Sequence, residues 1–298
     1  MRQPAGGGLG PPPTLEIVVP AHNEERRLPG GLATLRAHLA RMSVDARVIV
    51  VDNASTDGTA EVVARCPSGP VPVRLLRCPV KGKGAAVRAG LLDTSAPMVG
   101  FCDTDMATGL DVLGYVVYLL GRGEQVVVGS RNLPASVLEV RHGLVRSFGS
   151  QVFRRLARIM VPGATDTQCG FKFFDGDLAR RVARDLTSTG FAFDVELLAR
   201  CLALGASIRE IPVIWRDVPG STFSVGRSSA GVARELYRTW LTLRAMPVAE
   251  PDRMGADGPE RVGADGPERV GAGGPERVGA GGPEPAAALS GPSTGARG

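Results

Sequence analysis

Long apolar runs, paired cysteines and lysine are all scarce in this 298-residue chain, and the first two scarcities exclude whole classes of protein. No apolar stretch approaches the ~20 residues that a membrane-spanning helix needs. The longest one, residues 112–120, contains a glycine and two tyrosines. The five cysteines form no C-x-x-C pair, and the sequence does not open with a signal peptide. We therefore expect a cytoplasmic protein with reduced thiols and no transmembrane segment.

Lysine is rare although the chain is basic. Only three of its 35 Lys and Arg residues are lysine, namely Lys81, Lys83 and Lys172, which hints at a point-charge role there. The formal charge is +5, and eight acidic residues and five arginines follow position 249, so the remainder of the chain carries +8. This charge favours anionic partners such as nucleotide diphosphates, phospholipid headgroups or nucleic acid.

Both ends of the chain are rich in glycine and proline. Residues 252–283 are four copies of an eight-residue unit that is too short to offset its own ordering entropy. We predict a disordered head at residues 1–13, one folded domain at residues 14–246 and a disordered tail at residues 247–298. A spacer or docking role for the tail is the alternative to a repeat expansion without function.

Predicted strands and helices alternate strictly over the first half. Strands are predicted at residues 15–19, 47–51, 73–76, 98–101 and 125–128, and helices at residues 24–42, 59–65, 84–92 and 111–120. The alternation predicts an α/β fold with a Rossmann-like, mostly parallel sheet and helices on both faces. From Asp166 onward the pattern loosens into a mixed half, which we expect to bind the acceptor of a reaction.

Polar clusters follow three of the predicted strands. They are residues 20–24, residues 52–58 and the pair Asp103 and Asp105. Because the ligand crevice of a parallel sheet lies outside the carboxyl ends of its strands, these clusters should share one edge. Helix capping explains any one of them and is favoured for Asp57, whereas Asp52 is expected to bind a base or ribose.

The Lys81-Gly82-Lys83-Gly84 segment precedes a predicted helix, a position typical of phosphate contacts. The segment is not a P-loop, because G-x-x-x-x-G-K-[ST] is absent. Val87 stands where the third glycine of G-x-G-x-x-G would be, which argues against a dinucleotide oxidoreductase.

Taken in order, the motifs resemble those of family 2 glycosyltransferases. The matching segments are residues 18–25, 50–59, 81–84, 103–105, 129–131 and 166–172. Residues 166–174, residues 192–198 and Gly220-Ser221 are more similar to the dolichyl-phosphate (polyprenyl-phosphate) glucosyltransferase subgroup than to its mannosyl relatives. The resemblance covers roughly residues 14–246.

This resemblance implies a GT-A fold and an inverting transfer of glucose from UDP-glucose to a polyprenyl or dolichyl phosphate, with Mg²⁺ or Mn²⁺ as cofactor. The catalytic residues implied are Asp103, Asp105, Arg131 and Lys172, of which Asp103 and Asp105 hold the metal. The nucleotide-sugar contacts implied are Pro20, Ala21, Asn23, Glu24, Asp52, Lys83 and Asp103. The acceptor-phosphate contacts implied are Arg131, Arg146, Lys172 and Ser221. An acceptor phosphate is already anionic, so no dedicated general base is required.

Two residues depart from the family pattern. His22 replaces the usual tyrosine of the first motif, and Thr222 replaces a lysine that commonly follows Gly-Ser. The second departure weakens the lipid-phosphate assignment unless Arg216 or Arg227 supplies the charge. Asp194 and Glu196 receive no role, because a cap or an ion pair explains them equally well.

Alternatives remain for the reaction and for the cellular setting. The donor could be another nucleotide sugar such as GDP-mannose, the acceptor could be soluble, or the chain could be a non-catalytic nucleotide-sugar binding protein. Two Arg-rich amphipathic segments, residues 148–160 and 232–246, fit either an anionic membrane surface or ordinary core packing. We expect a peripheral location at the cytoplasmic membrane face and no nucleic-acid partner.

Overall fold

The structure is a computed structural model of the chain. It describes residues 13–139, 155, 157–190, 192–216, 237–242 and 244. All of these residues belong to one compact unit. Several predictions fall outside the described residues: most of the head, the tail, Arg146, Ser221, Thr222 and much of both amphipathic segments.

Strands and helices alternate through the first half, as predicted. The elements are β1 (Leu15–Ala21), α1 (Leu28–Leu39), β2 (Ala46–Asn53), α2 (Thr59–Ala64), β3 (Val73–Cys78), α3 (Lys83–Leu92), β4 (Met98–Cys102), a 3₁₀ turn (Leu110–Val112), α4 (Leu113–Gly121) and β5 (Val126–Ser130). The second half contains β6 (Val137–Glu139), β7 (Phe171–Asp175), α5 (Gly176–Asp185), α6 (Phe193–Ala203), β8 (Ile208–Pro212) and β9 (Ile214–Arg216).

The first helix was predicted to begin at Glu24, and this boundary is wrong. Residues 24–27 form a turn instead, and α1 begins at Leu28 with a proline in its first turn. Proline is common in the first turn of a helix, because the backbone N–H groups of that turn have no partner within the helix. The late start leaves Glu24 in the loop that follows β1, where its side chain can face the edge of the sheet.

One seven-stranded sheet organises the described residues, in the order β3-β2-β1-β4-β7-β5-β8. β1 pairs in parallel with β2 and β4, β2 pairs in parallel with β3, and β5 pairs in parallel with β8. β7 runs antiparallel between β4 and β5. A separate parallel pair joins β6 to β9. The predicted α/β fold with a mostly parallel sheet is confirmed, and β7 brings the mixed second half directly against β4.

Apolar side chains cover both faces of the sheet. Along β1, Val18 packs into the layer beneath α3, α5 and α6, while Ile17 and Val19 pack on the opposite side with α1 and α4. Strands buried on both faces need continuous apolar runs, which is what these sequences show. Among the described residues no helix is both long and apolar enough to cross a bilayer.

Candidate active site

The Asp103-Thr104-Asp105 segment leaves β4 at the edge where β1 and β2 also end. Its backbone is fixed on both sides: Asp103 N donates to the Gly170 carbonyl at 3.1 Å, and Thr104 Oγ1 donates to the Pro20 carbonyl at 2.7 Å. Asp105 Oδ1 accepts a hydrogen bond from Ala107 N at 3.1 Å. These contacts hold two carboxylates at the carboxyl end of a central strand.

Two glycines let neighbouring elements approach this segment closely. A Cβ on Gly31 of α1 would lie 2.0 Å from the Thr104 carbonyl oxygen. A Cβ on Gly170, just before β7, would lie 1.9 Å from Asp103 Oδ2. Neither position has room for a side chain, so the placement of Asp103 depends on glycine in a part of the chain 67 positions away.

A cavity of about 380 Å³ opens over the carboxylate pair. It brings together six of the predicted site residues, which are Pro20, Ala21, Glu24, Lys83, Asp103 and Asp105. The other lining residues, which were not selected from the sequence as nucleotide contacts, are His22, Arg27, Asn53, Lys81, Gly82, Ala86, Thr104 and Gly190. The convergence of three strand ends on one cavity is the arrangement expected of a ligand site in a parallel sheet.

Basic side chains flank the two aspartates in the cavity wall. Lys83 Nζ lies 2.5 Å from Asp103 Oδ1, and Arg27 Nη1 lies 3.7 Å from Asp105 Oδ2. Arg27 is also bound to both carboxylate oxygens of Glu24, with its Nε 2.7 Å from Oε2. Each proposed metal ligand therefore has a basic neighbour.

Burial and neighbouring charges shift the pKa values of this group. Burial raises the pKa of Asp105, and the negative charge of Asp103 raises it further. Burial likewise raises the pKa of Glu24 against the effect of Arg27. Burial opposes the charged form of Lys83, but Asp103 and Asp194 together raise its pKa to about 12. Lys83 therefore stays protonated at neutral pH.

Asn23 and Asp52 do not line the cavity and instead shape its loops. Asn23 has a positive φ of 55°, and its Oδ1 accepts a hydrogen bond from Thr56 N at 2.8 Å. Asp52 is buried, and its Oδ1 accepts a hydrogen bond from Ser55 N at 3.2 Å. Asn53, the next residue, lines the cavity and joins Val80 to Gly82 through its side-chain amide.

A loop from the second half closes the cavity beside the start of α3. The Thr189 carbonyl accepts a hydrogen bond from Gly84 N at 2.9 Å, and Gly82, with φ of 124°, leaves room for the same oxygen. Glu196 holds this loop through Thr187 and Ser188, and Ser188 Oγ lies 2.9 Å from Thr239 Oγ1. Glu196, which received no role from the sequence, therefore fixes the loop that contains Gly190.

Arg131 lies at the end of β5 and is paired with Asp166. Its Nε and Nη2 donate to the two carboxylate oxygens of Asp166 at 2.7 and 2.9 Å. Glu210 on β8 in turn accepts a hydrogen bond from Asp166 N at 2.9 Å. Burial disfavours the charged carboxylate, but Arg131 holds the pKa of Asp166 below its usual value. The guanidinium also lies 6.0 Å from the ring centre of Trp215.

Lys172 is fully buried on β7, and the structure gives it two polar partners. Its Nζ lies 2.5 Å from Asp194 Oδ1 and 2.7 Å from the Cys169 carbonyl oxygen. It does not line the cavity, so in this structure the predicted contact with phosphate would require the ammonium group to leave Asp194. The reason is the antiparallel register of β7, which pairs Lys172 with Phe101 in the core.

The residues around the cavity fit a hard divalent cation. Asp103 and Asp105 offer carboxylate oxygens, and Mg²⁺ typically binds one or two carboxylates and completes its shell with water and substrate phosphates. Burial and, after it, the charge of Asp103 raise the pKa of Asp105, and a bound cation would relieve both effects. Among the described residues no group of three or more His, Cys, Asp or Glu side chains forms a metal cage.

A known protein family matches more than half of the chain. The model of glycosyl transferase family 2 matches residues 16–175. This chain belongs to glycosyltransferase family 2. The match contains β1 to β4, the Asp103–Asp105 segment and β7, so it covers every cavity-lining residue named above except Gly190.

Curated relatives are similar to this chain over most of its length. A dolichyl-phosphate beta-glucosyltransferase from Dictyostelium discoideum is 32% identical over 242 residues, which are 75% of this chain and 73% of the relative. The enzyme of that name from Drosophila melanogaster is 33% identical over 243 residues, 76% of this chain and 74% of the relative. The predicted resemblance and the prediction of a glycosyltransferase are confirmed.

Solved structures of other proteins support the GT-A fold. Glucosyl-3-phosphoglycerate synthase from Mycobacterium tuberculosis in complex with UDP has a TM-score of 0.57 at 20% identity, covering 80% of this chain and 82% of the other. The same enzyme in complex with Mn²⁺, UDP-glucose and phosphoglyceric acid has a TM-score of 0.53 at 22% identity, with coverage of 80% and 81%.

Several residues that line the cavity were not predicted as site residues from the sequence. Arg27 gave no signal, because it was assigned to the interior of a helix that in fact begins one residue later. Gly190 carried no signal, because its loop reaches the cavity through tertiary contacts, among them those of Glu196 with Ser188 and of Gly84 with Thr189. Asn53 carried a detectable signal, since it is the last residue of β2 beside Asp52.

Proposed function

We propose that this chain is a metal-dependent, inverting glycosyltransferase that moves glucose from UDP-glucose to a polyprenyl or dolichyl phosphate. One observation carries the proposal: Asp103 and Asp105 share a cavity with Lys83 and with the end of β1 in a family 2 fold. The names of the curated relatives support glucose as the sugar and a lipid phosphate as the acceptor.

Different residues of the cavity would bind different parts of the nucleotide-sugar donor. Asp103 and Asp105 would hold Mg²⁺ or Mn²⁺, and such an ion, when bound, neutralises charge that builds on the diphosphate as it leaves. Lys83 adds positive charge on the side of α3. Pro20, Ala21 and Asn53 line the wall beside β1 and β2, where the base and ribose would lie.

The cavity favours an acceptor that needs no deprotonation. Its carboxylates among the described residues are Glu24, Asp103 and Asp105, and Glu24 is bound by Arg27 through both oxygens. With Asp103 and Asp105 assigned to the metal, none of the three is free to act as a general base. An acceptor phosphate oxygen, anionic near neutral pH, can attack the anomeric carbon unaided while the carbon–oxygen bond to UDP breaks.

The acceptor side includes Arg131, which is positioned by Asp166 and Trp215. About a third of its side chain is exposed, so a phosphate can reach the guanidinium while Asp166 keeps its orientation. Lys172 would reach the acceptor phosphate only by leaving Asp194, and Arg146 and Ser221 remain predicted acceptor contacts. Tyr237 and Leu241 are exposed in the described part of the second Arg-rich segment, which supports a proposed location at an anionic membrane face.

Product formation tests the proposal directly. The protein is incubated with labelled UDP-glucose, undecaprenyl or dolichyl phosphate and Mg²⁺ or Mn²⁺, and the labelled lipid is extracted with butanol. We expect labelled lipid that disappears with chelator. GDP-mannose in place of UDP-glucose tests the sugar. Turnover on a soluble alcohol without any labelled lipid would contradict the lipid acceptor, and binding of UDP-glucose without turnover would contradict the enzyme assignment.

A further inference from the structure

Lys83 is the counter-ion of one carboxylate that we assign to the metal. Its Nζ lies 2.5 Å from Asp103 Oδ1, and Asp103 is its only carboxylate within ion-pair distance among the described residues. Arg27, the basic neighbour of the other carboxylate, is anchored to Glu24. Lys83 is therefore the cation that a metal ion at Asp103 has to displace.

The surroundings of Lys83 leave one direction for a displaced ammonium group. On the core side its Nζ faces the rings of Phe101 and Phe193, each centred 6.0 Å away. The next carboxylate inward, Asp194, is already paired with Lys172. On the other side lies the cavity, which Lys83 itself lines. A displaced Lys83 therefore turns into the space assigned to the nucleotide diphosphate.

We propose that Lys83 is a shared counter-ion that couples metal binding to nucleotide binding. The inference rests on the proposed function, because it needs a divalent cation at Asp103 and Asp105 and a nucleoside diphosphate in the cavity. In the nucleotide-free protein the ammonium group neutralises Asp103 and competes with the cation. With both ligands bound, the ammonium pairs with the diphosphate and releases Asp103 to the cation. Each ligand then tightens the binding of the other by the same factor.

The scarcity of lysine makes this movement observable in the intact chain. Isotopic labelling of lysine gives side-chain NMR signals from only three residues, and Lys83→Arg and Lys81→Arg spectra assign them. The probes are Mg²⁺, which is diamagnetic, and UDP. We expect the Lys83 Cε and Nζ signals to shift when both probes are added, while the Lys172 signals, held by Asp194, stay in place. Unchanged Lys83 signals at saturating Mg²⁺ and UDP would overturn the inference and leave the proposed function intact.

Calorimetry of matched variants gives the second test. Lys81 is the control, because it lines the same cavity with the same charge but forms no ion pair with a carboxylate of the described residues. Without nucleotide, Lys83→Met should bind Mn²⁺ about 10-fold tighter than the unmodified chain, and the factor by which UDP tightens Mn²⁺ binding should fall about as much. Lys81→Met should change each quantity less than about threefold.

Thermal melting checks that Lys83→Met and Lys81→Met are both folded. Equal Mn²⁺ affinities of these two variants would overturn the role of Lys83 as a shared counter-ion. Lys83→Arg, which keeps the positive charge, should retain most of the coupling and would contradict the inference if it behaved like Lys83→Met. Failure of the unmodified chain to bind either Mn²⁺ or UDP would overturn both this inference and the proposed function. The two failures are thus distinguishable.

Discussion

The ammonium nitrogen of Lys172 lies 2.5 Å from Oδ1 of Asp194, and both side chains are buried where β7 meets α6. Removing one partner of such a pair leaves the other charge buried without compensation. Loss of either partner should therefore lower the stability of the protein, whereas loss of a lysine that only binds phosphate should not.

Asp194→Asn should lower the free energy of unfolding by about 3–5 kcal/mol, because Lys172 loses its only carboxylate partner among the described residues. The double variant Lys172→Met, Asp194→Asn should lose clearly less than the sum of the two single variants. Urea denaturation of the four proteins measures the coupling. Additive losses would show that the pair does not act as a unit.

Asp105→Asn should reduce turnover while the fold is preserved. Asparagine keeps the oxygen that accepts from Ala107 N but removes the charge that would bind the cation. A loss of about 3 kcal/mol in transition-state stabilisation corresponds to about 100-fold in kcat/KM. Labelled-lipid formation measures it, and Asp111→Asn, outside the cavity, is the control. Unimpaired turnover of Asp105→Asn would contradict the assigned role.

Gly170→Ala should weaken metal binding without altering any acidic side chain. The added Cβ would lie 1.9 Å from Asp103 Oδ2, so the carboxylate has to rotate away. Loss of supporting contacts around a metal site typically reduces affinity by about 10- to 100-fold, and Mn²⁺ calorimetry measures it. Gly114→Ala is the control, since its Cβ meets nothing within 4 Å. Equal Mn²⁺ affinity of the two variants would argue against Asp103 as a ligand.

Glu196→Gln should destabilise the protein in a way that depends on pH. Burial raises the pKa of Glu196, but contacts with Ser188, Thr187 and Arg200 hold the pKa below the usual value of a glutamate. A carboxyl group whose pKa is lower in the folded state than in the unfolded state stabilises the fold fully at pH values above its unfolded-state pKa. This contribution is lost as the pH falls through the folded-state pKa. We expect a loss of about 1.5–3 kcal/mol at pH 7 that shrinks toward pH ~3.

Urea denaturation at both pH values measures the effect of Glu196→Gln. The control is Glu139→Gln, because the pair of Glu139 with Arg216 is half exposed on both sides and should contribute about 0–1 kcal/mol. A Glu196→Gln deficit that stays constant with pH would contradict the assigned contacts. Weaker UDP binding is also expected, since the loop held by Glu196 supplies Gly190 to the cavity.

Much of the fold and part of the site were predictable from the sequence. Alternating apolar strands and helices predicted the parallel sheet, because strands buried on both faces need continuous apolar runs. Acids that directly follow a strand predicted the position of Asp103 and Asp105, because parallel strands share one carboxyl edge. Boundaries were less accurate, as the late start of α1 shows.

The sequence by itself determined the family, the alternating architecture and the edge of the sheet on which the acids lie, because local periodicity and motif order encode these features. The tertiary structure alone decided which charges meet. The antiparallel insertion of β7 buried Lys172 against Asp194, and the approach of α3 to the end of β4 paired Lys83 with Asp103. Ion pairing depends on distances of a few ångströms between residues far apart in the chain, and no pattern along a single sequence specifies such distances.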